Sequence, residues 1–459
     1  MMNLKLILLS GGSGKRLWPL SNDSRSKQFL KLLKNERNME ESMIQRVWKQ
    51  LKKVDLDKRT IITTNKSQYD MILNQLDEEI NIVIEPNRRD TFPAIALAAT
   101  YLFSEQNSDL NEVVCVLPVD PFVEDHFFDK IKDFEQVLTT SGADIALIGV
   151  QPTNPSESYG YIVPARNESV NSNYVRVSHF KEKPTTEEAK NLISMQQAFW
   201  NCGVFGFKLG YLINVLRNNE LPTNYMELLE SYSKLPKISF DYKVVENATK
   251  IVMVPYKGYW KDLGTWDTLT GEMSTDVLGK GIISEDSQNS NIISELDIPV
   301  AILGVSNIVV AVSSDGILVS DKNKSPMIKS LVTSIENRPM YEERRWGWYR
   351  VLDYTKQDNK ESEILTRRIC IKEGKNLSYQ YHLRRSETWN FISGKGEVVL
   401  DGKRLFVNSG DVIKINSGMK HALKAITELE FIEVQIGTEL INEDIIRINN
   451  NWEDILSEI

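Results

Sequence analysis

The chain has 459 residues, of which 41% are hydrophobic and 26% charged, values of a water-soluble globular protein with two or three domains. A net charge of −8 argues against a nucleic-acid partner. It leaves anionic small substrates open, because local Lys and Arg override a mildly acidic surface. The apolar run LILL near the N-terminus is too short for a signal core or a membrane span, and no later stretch reaches about 18 apolar residues. Cys115, Cys202 and Cys370 lie far apart without CxxC spacing, which reads as reduced thiols in the cytoplasm.

Residues 4–9 (LKLILL) read as a buried strand, followed at once by the Gly-rich turn Ser10-Gly11-Gly12-Ser13-Gly14. TIITT at 60–64 and INIVI at 80–84 are strand-like, and PAIALAATYLF at 93–103 reads as a helix with Pro at its start. VVCVL at 113–117 and IALIGV at 145–150 are two more strands. Strands alternating with helices predict an α/β domain over residues 1–275, with a largely parallel, Rossmann-like sheet and ligands at the strands' carboxyl ends. Residues 276–335 hold short β-branched runs, expected as a coil of β-turns or a small β unit. Residues 336–346 read as a polar connection within a final domain, 336–459. There the pattern of strand, Gly turn and strand from 347 to 437 predicts a small antiparallel barrel, with a short helix near the C-terminus.

Glycines at 11, 12 and 14 let backbone N–H groups approach anionic oxygens. The spacing fits neither GxxxxGK[ST] nor GxGxxG, so it is not a P-loop or a dinucleotide fingerprint. Arg16 and Lys27, two cations close to this turn, suit a triphosphate.

GGSGKRLWPLS followed by SKQFL resembles the signature of the long bacterial mannose-1-phosphate guanylyltransferases, often fused to a mannose-6-phosphate isomerase. The likeness continues in order through Glu85-Pro86-Asn87-Arg88-Arg89-Asp90-Thr91, Leu117-Pro118-Val119-Asp120, Tyr159-Gly160-Tyr161-Ile162, Phe180-Lys181-Glu182-Lys183-Pro184, Trp200-Asn201-Cys202-Gly203 and Trp260-Lys261-Asp262-Leu263-Gly264. It implies a mixed-sheet nucleotidyltransferase domain of the GT-A-like kind. It further implies that GTP and mannose-1-phosphate give GDP-mannose and pyrophosphate, for polysaccharide biosynthesis. Asp120 and Asp262 would share Mg²⁺, which commonly takes one or two carboxylates. Arg16 would hold the β- and γ-phosphates and Lys27 the α-phosphate. Lys183 would grip the sugar phosphate. Gly160, Glu182 and Asn201 would line the sugar. The purine would lie near Gly11, Gly12, Ser13 and Gly14 and the Glu85-Pro86 block, where a carboxylate can read guanine's N–H donors.

The sequence departs from the family in places: Lys15 stands where Thr is common, Ser156-Glu157-Ser158 where Glu-Thr-Gly is common, and Pro121-Phe122 where a His is often seen. These leave the transfer chemistry intact and the sugar and base open. Two other readings therefore stand beside the first: the same reaction on another sugar-1-phosphate or nucleoside triphosphate, and a non-catalytic nucleotide-sugar binding protein. A homodimer is one assembly open to the chain.

Two of the four histidines, His382 and His421, fall in the barrel segment. Strand alternation puts Gln380 and His382 on one face. Gln380, His382, Glu387 and His421 make an N/O set suited to Zn²⁺ or another divalent first-row metal. This segment resembles a cupin, specifically the isomerase half of the bifunctional enzymes, whose motif usually reads Gln-x-His-x-His-Arg-x-Glu-His-Trp. Here Arg384 and Thr388 replace two of its histidines. Arg447 matches a motif whose Arg is thought to act on substrate. Isomerase activity, a different metal-bound role and a purely structural role are the three expectations for the barrel.

Overall fold

The computed structural model describes residues 3–12, 15–76, 80–166, 173–335, 338–357 and 362–458. The chain forms two compact units. One comprises Met1–Leu17, Ser26–Tyr69 and Glu78–Thr275; the other comprises Trp18–Arg25, Asp70–Asp77 and Asp276–Ile459. Among the described residues no helix is long and apolar enough to cross a membrane, and Cys115, Cys202 and Cys370 are buried and unpaired.

The first unit is built on nine strands: β1 (Leu4–Ser10), β2 (Thr60–Asn65), β3 (Asn81–Glu85), β4 (Val113–Pro118), β5 (Ile145–Val150), β6 (Tyr161–Pro164), β7 (Val175–Lys181), β8 (Phe199–Lys208) and β9 (Ile251–Tyr256). Their order is β3-β2-β1-β4-β8-β5-β9-β7-β6. The first four are mutually parallel, which brings the Gly turn after β1, Glu85 at the end of β3 and Asp120 just beyond β4 to one edge. The sheet as a whole is mixed, as the family resemblance implies, and not largely parallel, as the alternation of strands and helices suggests. β8 runs antiparallel to both β4 and β5, and β7 runs antiparallel to β9 and β6. β8 is buried on both faces along almost its whole length, and such a run carries no information on its direction, which long-range pairing decides.

The helix Thr91–Ser104 begins where the Asp90 carboxylate accepts the Thr91 N–H at 2.8 Å, an N-cap placed before an Ala- and Leu-rich run. Its Phe92, Ile95 and Leu102 pack with Ile7, Val114 and Leu147 of the sheet in one buried core. That apolar anchoring holds the neighbouring loop, Glu85 to Asp90, at the sheet edge.

In the second unit, Val277–Leu278, Asn291–Ser294 and Ile308–Ser313 stack in parallel, and Gly281–Ile283 pairs in parallel with Val300–Ile302. Of the two forms expected for 276–335, this is the coil, wound around Ile292, Ile302, Val310 and Val312. Beyond it lie two antiparallel sheets, of six and five strands. Tyr341–Arg344 pairs with Gly347–Gln357, so much of the stretch expected as a polar connection is a barrel strand; Glu336 and Asn337 lie outside the described residues. In the strand Arg385–Ser393, burial alternates, and Glu387, Trp389 and Phe391 point inward. The C-terminal helix is Trp452–Ser457, capped by Asn451.

Candidate active site

The Gly turn of the first unit is braced from its carbonyl side. The Ser26 hydroxyl donates to the Gly12 carbonyl, and Gln68 Nε2 donates to the same oxygen at 3.0 Å. Gln28 Nε2 donates to the Ser10 hydroxyl at 3.2 Å. Ser26 and Gln28 thus fasten the turn, while Lys27 between them is left to face the opposite group of charges. Its ammonium lies 2.6 Å from Asp120 Oδ2 and 3.2 Å from Asp262 Oδ1. Burial works against a charged lysine here, but Asp120 and Asp262 more than offset it and hold Lys27 above the usual lysine range.

Lys27 and Asp262 are 235 residues apart in the chain. They meet because Trp260–Asp262 pairs antiparallel with Pro121–Val123, with Asp262 opposite Pro121. This short ribbon sets Asp262 beside the residue that follows Asp120. One cation already bridges both carboxylates, so this oxygen pair has the spacing and chemistry to share a hard divalent ion.

Two pockets meet at Pro118 and Asp120. The first, of about 240 Å³, is lined by Gly11, Gly12, Lys27, Glu85, Arg88 and Asp120, among others. Glu85 is buried, and its carboxylate accepts a 2.6 Å hydrogen bond from the Tyr232 hydroxyl. Burial pushes the Glu85 carboxyl up to about 7, against the lowering effect of Tyr232 and Arg88. A Cβ on Gly11 would stand 2.9 Å from Glu85 Oε1, so the glycine permits this close approach.

The second pocket, of about 180 Å³, is lined by Asp120, Tyr159, Gly160, Glu182, Asn201, Asp241 and Asp262, among others. A Cβ on Gly160 would fall 2.5 Å from Glu182 Oε2. Asn201 Nδ2 donates to Asp241 Oδ1 at 2.9 Å, and Asn201 Oδ1 accepts the Gly203 N–H at 3.1 Å. Burial, then Glu182, pushes the Asp241 carboxyl up to about 7. Tyr159 packs edge-on against Trp260, centroids 5.5 Å apart, which makes one wall aromatic.

Of the residues singled out in the sequence, Gly11, Gly12, Lys27, Glu85, Asp120, Gly160, Glu182, Asn201 and Asp262 line these two pockets. Arg16 is exposed on the short turn Lys15–Leu17 and Pro86 is exposed after β3; neither lines them. Lys183 is paired with Glu182 at 2.6 Å rather than lining the second pocket. Ser13 and Gly14 lie outside the described residues. Sequence reasoning missed Arg88, as a lining residue within a quoted block, and Asp241. No local signal marks Asp241: it is one carboxylate in SFDYKVVEN, carried to the pocket by the turn whose Phe240 N–H donates to Thr91 Oγ1 at 2.8 Å.

In the barrel, His382, Glu387 and His421 are all buried and offer ligand atoms within 4.8 Å of one another. His382 Nε2 lies 3.1 Å from Glu387 Oε1, and His421 Nε2 lies 3.9 Å from Glu387 Oε2. Each Nδ1 faces a backbone carbonyl: Asp444 at 3.3 Å for His382 and Met419 at 2.9 Å for His421. Proton placement on Nδ1 turns both Nε2 lone pairs toward the centre, the arrangement metal-binding histidines use. His421 Nε2 is buried with no hydrogen-bond partner among the described residues. Burial lowers the His421 pKa and favours the neutral ring. Burial also opposes the Glu387 carboxylate, yet His382, His421 and Arg385 hold it well below the usual range. These donors fit a divalent metal. Gln380 pairs in register with His421 and with Arg447, and Gln380, Glu387 and Arg447 line one cavity of about 120 Å³. Arg385, not singled out from the sequence, contacts both Glu387 Oε1 at 3.1 Å and His382 Nε2 at 3.4 Å.

Comparison with known proteins bears on both units. Residues 5–277 match the nucleotidyl transferase family, and residues 335–450 match the mannose-6-phosphate isomerase C-terminal family. Mannose-1-phosphate guanylyltransferase RfbM of Salmonella typhimurium is 30% identical over 97% of each chain. The alginate biosynthesis protein AlgA of Pseudomonas syringae pv. tomato is 29% identical over 97% of this chain and 95% of its own. A crystal structure from Thermus thermophilus, described as a mannose-1-phosphate geranyltransferase, covers 73% of this chain and 100% of its own, with a TM-score of 0.61 at 28% identity.

Proposed function

The chain belongs to the nucleotidyl transferase family, and from that premise we propose that its first unit makes GDP-mannose and pyrophosphate from GTP and mannose-1-phosphate. The observation that carries this reading is Lys27 bridging Asp120 and Asp262 where two pockets join. The first pocket receives the nucleoside triphosphate, with Glu85 accepting purine N–H donors. The second receives the sugar-1-phosphate against Glu182, Asn201 and Asp241. A phosphate oxygen of the sugar-1-phosphate attacks the α-phosphorus; the bond to the β-phosphate oxygen breaks, and pyrophosphate leaves toward the Gly turn and Arg16. Such transfer relies on positioning and charge neutralisation more than on covalent help from the protein. Lys27 neutralises charge at the α-phosphate, and Lys183, released from Glu182, takes the sugar phosphate. Mg²⁺ on Asp120 and Asp262 would supply further charge neutralisation when bound. Residues 1–275 form the catalytic domain in this reading, 276–335 the connecting coil and 336–459 the barrel domain. The relatives' names in alginate and xanthan biosynthesis support a supply reaction for polysaccharide. Pyrophosphate release screened across four nucleoside triphosphates and several sugar-1-phosphates tests the assignment. GTP with mannose-1-phosphate should give the highest kcat/KM; another pair in first place would replace the substrates, and no release with any pair would leave only a binding role.

For the barrel the reading is a second activity, isomerisation of mannose-6-phosphate, carried by the His382, Glu387 and His421 cluster, whose Glu387 lines the cavity that Arg447 also lines. A divalent metal held there with Gln380 would polarise the sugar carbonyl when bound. Arg447 orients the substrate. Metal analysis together with a coupled mannose-6-phosphate assay separates this reading from a structural barrel.

A further inference from the structure

Glu85 is held from behind by a residue 147 positions away in the chain: the Tyr232 hydroxyl donates to Glu85 Oε2 at 2.6 Å. Tyr232 is fully buried in one core with Phe92, Leu228, Leu235 and Phe240, and it opens the turn Tyr232–Lys234. That turn is tied to the loop that follows Glu85. The Arg89 guanidinium donates to the Leu235 carbonyl, and the Leu235 N–H donates to the Tyr232 carbonyl at 3.1 Å. Burial, then Glu85, keeps the Tyr232 phenol protonated far above the usual tyrosine range, so toward the carboxylate it acts as donor. The second carboxylate oxygen is placed differently. Oε1 lies against Gly11, where a Cβ would stand 2.9 Å from it, and both residues line the first pocket. The terminal torsion of a glutamate is broad and nearly two-fold, so without an anchor the two oxygens exchange roles. Burial carries the Glu85 carboxyl to about 7; Tyr232, then Arg88, oppose it and Asp90 adds to it. Arg89 acts on Tyr232, and Lys27 lines the same pocket.

We infer that Tyr232 is a positioning residue for base choice: by holding Glu85 Oε2 it leaves Oε1 as the acceptor presented to the nucleotide base. Guanine offers N–H donors at N1 and N2, whereas adenine offers a lone pair at N1. The inference rests on the GTP reading of the first pocket and adds to it the residue that fixes the reading oxygen. Because Oε2 already accepts from Tyr232, a proton added to the carboxyl sits on Oε1 and turns that acceptor into a donor. Tyr232 thus sets the direction of the reading oxygen and, by favouring the carboxylate, extends the pH range over which it accepts.

The test is equilibrium binding of GTP and of ATP to the full-length chain between about pH 6 and 8.5, in wild type and Tyr232→Phe, with pyrophosphate release measured alongside. The ratio of the two affinities is the readout, since the γ-phosphate titrates in both nucleotides and cancels. In wild type the preference for GTP should fall as pH drops through about 7. In Tyr232→Phe the preference should narrow about tenfold at neutral pH, and its midpoint should move up by about one pH unit, because a bond favouring the carboxylate is gone. The loss should appear in KM for GTP rather than in kcat. A role in packing alone would weaken GTP and ATP alike and leave the midpoint in place; that result overturns the inference while the GTP reading stands. Introduced into Glu85→Gln, Tyr232→Phe should change the ratio by less than about twofold; the full tenfold loss there also overturns it. Should Tyr232→Phe fail to fold, the wild-type profile decides: a ratio that falls through about pH 7 supports the inference, and a flat one overturns it. Preference for GTP that depends on Tyr232 without pyrophosphate release keeps the inference and removes the transfer reading, whereas equal binding of GTP and ATP by wild type at every pH removes both.

Discussion

Glu85→Gln tests the electrostatics of the first pocket most directly. Burial moves the Glu85 carboxyl from the usual 4.5 to about 7. At about 1.4 kcal/mol per pH unit, the folded protein disfavours the ionised side chain by about 3 kcal/mol. Because the folded state holds this proton more tightly than the unfolded chain, the linked stability is fully present below pH 4.5 and is lost as pH rises through about 7. The glutamine variant does not titrate, and its Oε1 can still accept from Tyr232. Its stability relative to wild type should therefore be near zero at pH 4.5 and climb to about +3 kcal/mol above pH 7. Urea-dependent hydrogen exchange at the Ile82, Val83 and Ile84 amides, compared between the two proteins at each pH, reports the strand that ends at Glu85. The same variant should bind GTP more weakly by about 1–3 kcal/mol, since a carboxamide presents donors where guanine also presents donors. A stability difference that stays flat from pH 5 to 8.5 would refute the buried-carboxylate account.

Asp120→Ala and Asp262→Ala should each lower nucleotidyl transfer by about 100-fold or more, because Lys27 and any shared cation lose a carboxylate partner; near-normal rates in both variants would sink the proposed mechanism. Glu387→Gln should leave purified protein with far less bound divalent metal by elemental analysis, since the one anionic member of the His382 and His421 cluster is gone. Unchanged metal content would place the ion elsewhere.

Much of the catalytic unit was legible in sequence because its blocks do local work. Apolar runs mark β1, β4 and β5. The glycines follow a strand end, and Ser26-Lys27-Gln28 carries two residues that tie the Gly turn on either side of one that reaches across the site. The mixed direction of the sheet came from the family resemblance and not from the residue pattern, because a strand buried on both faces, like β8, reads the same whichever way it runs. Arg16, Pro86 and Lys183 belong to the quoted blocks, yet none of them lines the two pockets. Membership of a motif places a residue near a site without aiming its side chain.

From the sequence alone came the order of elements, the glycine turn and the His–Glu–His set of the barrel, because residue type and short-range spacing encode them, while the Asp120 and Asp262 candidates came from the family resemblance. Only the tertiary structure decided that Asp262 reaches Asp120 through a short ribbon, that Asp241 enters the second pocket, and that Arg344 and Arg345 join Arg447 around one cavity. Those meetings depend on strand pairing between distant segments. A charged side chain adds nothing to the hydrophobic period of its own segment, so its eventual neighbours are set by the packing of apolar residues elsewhere in the chain.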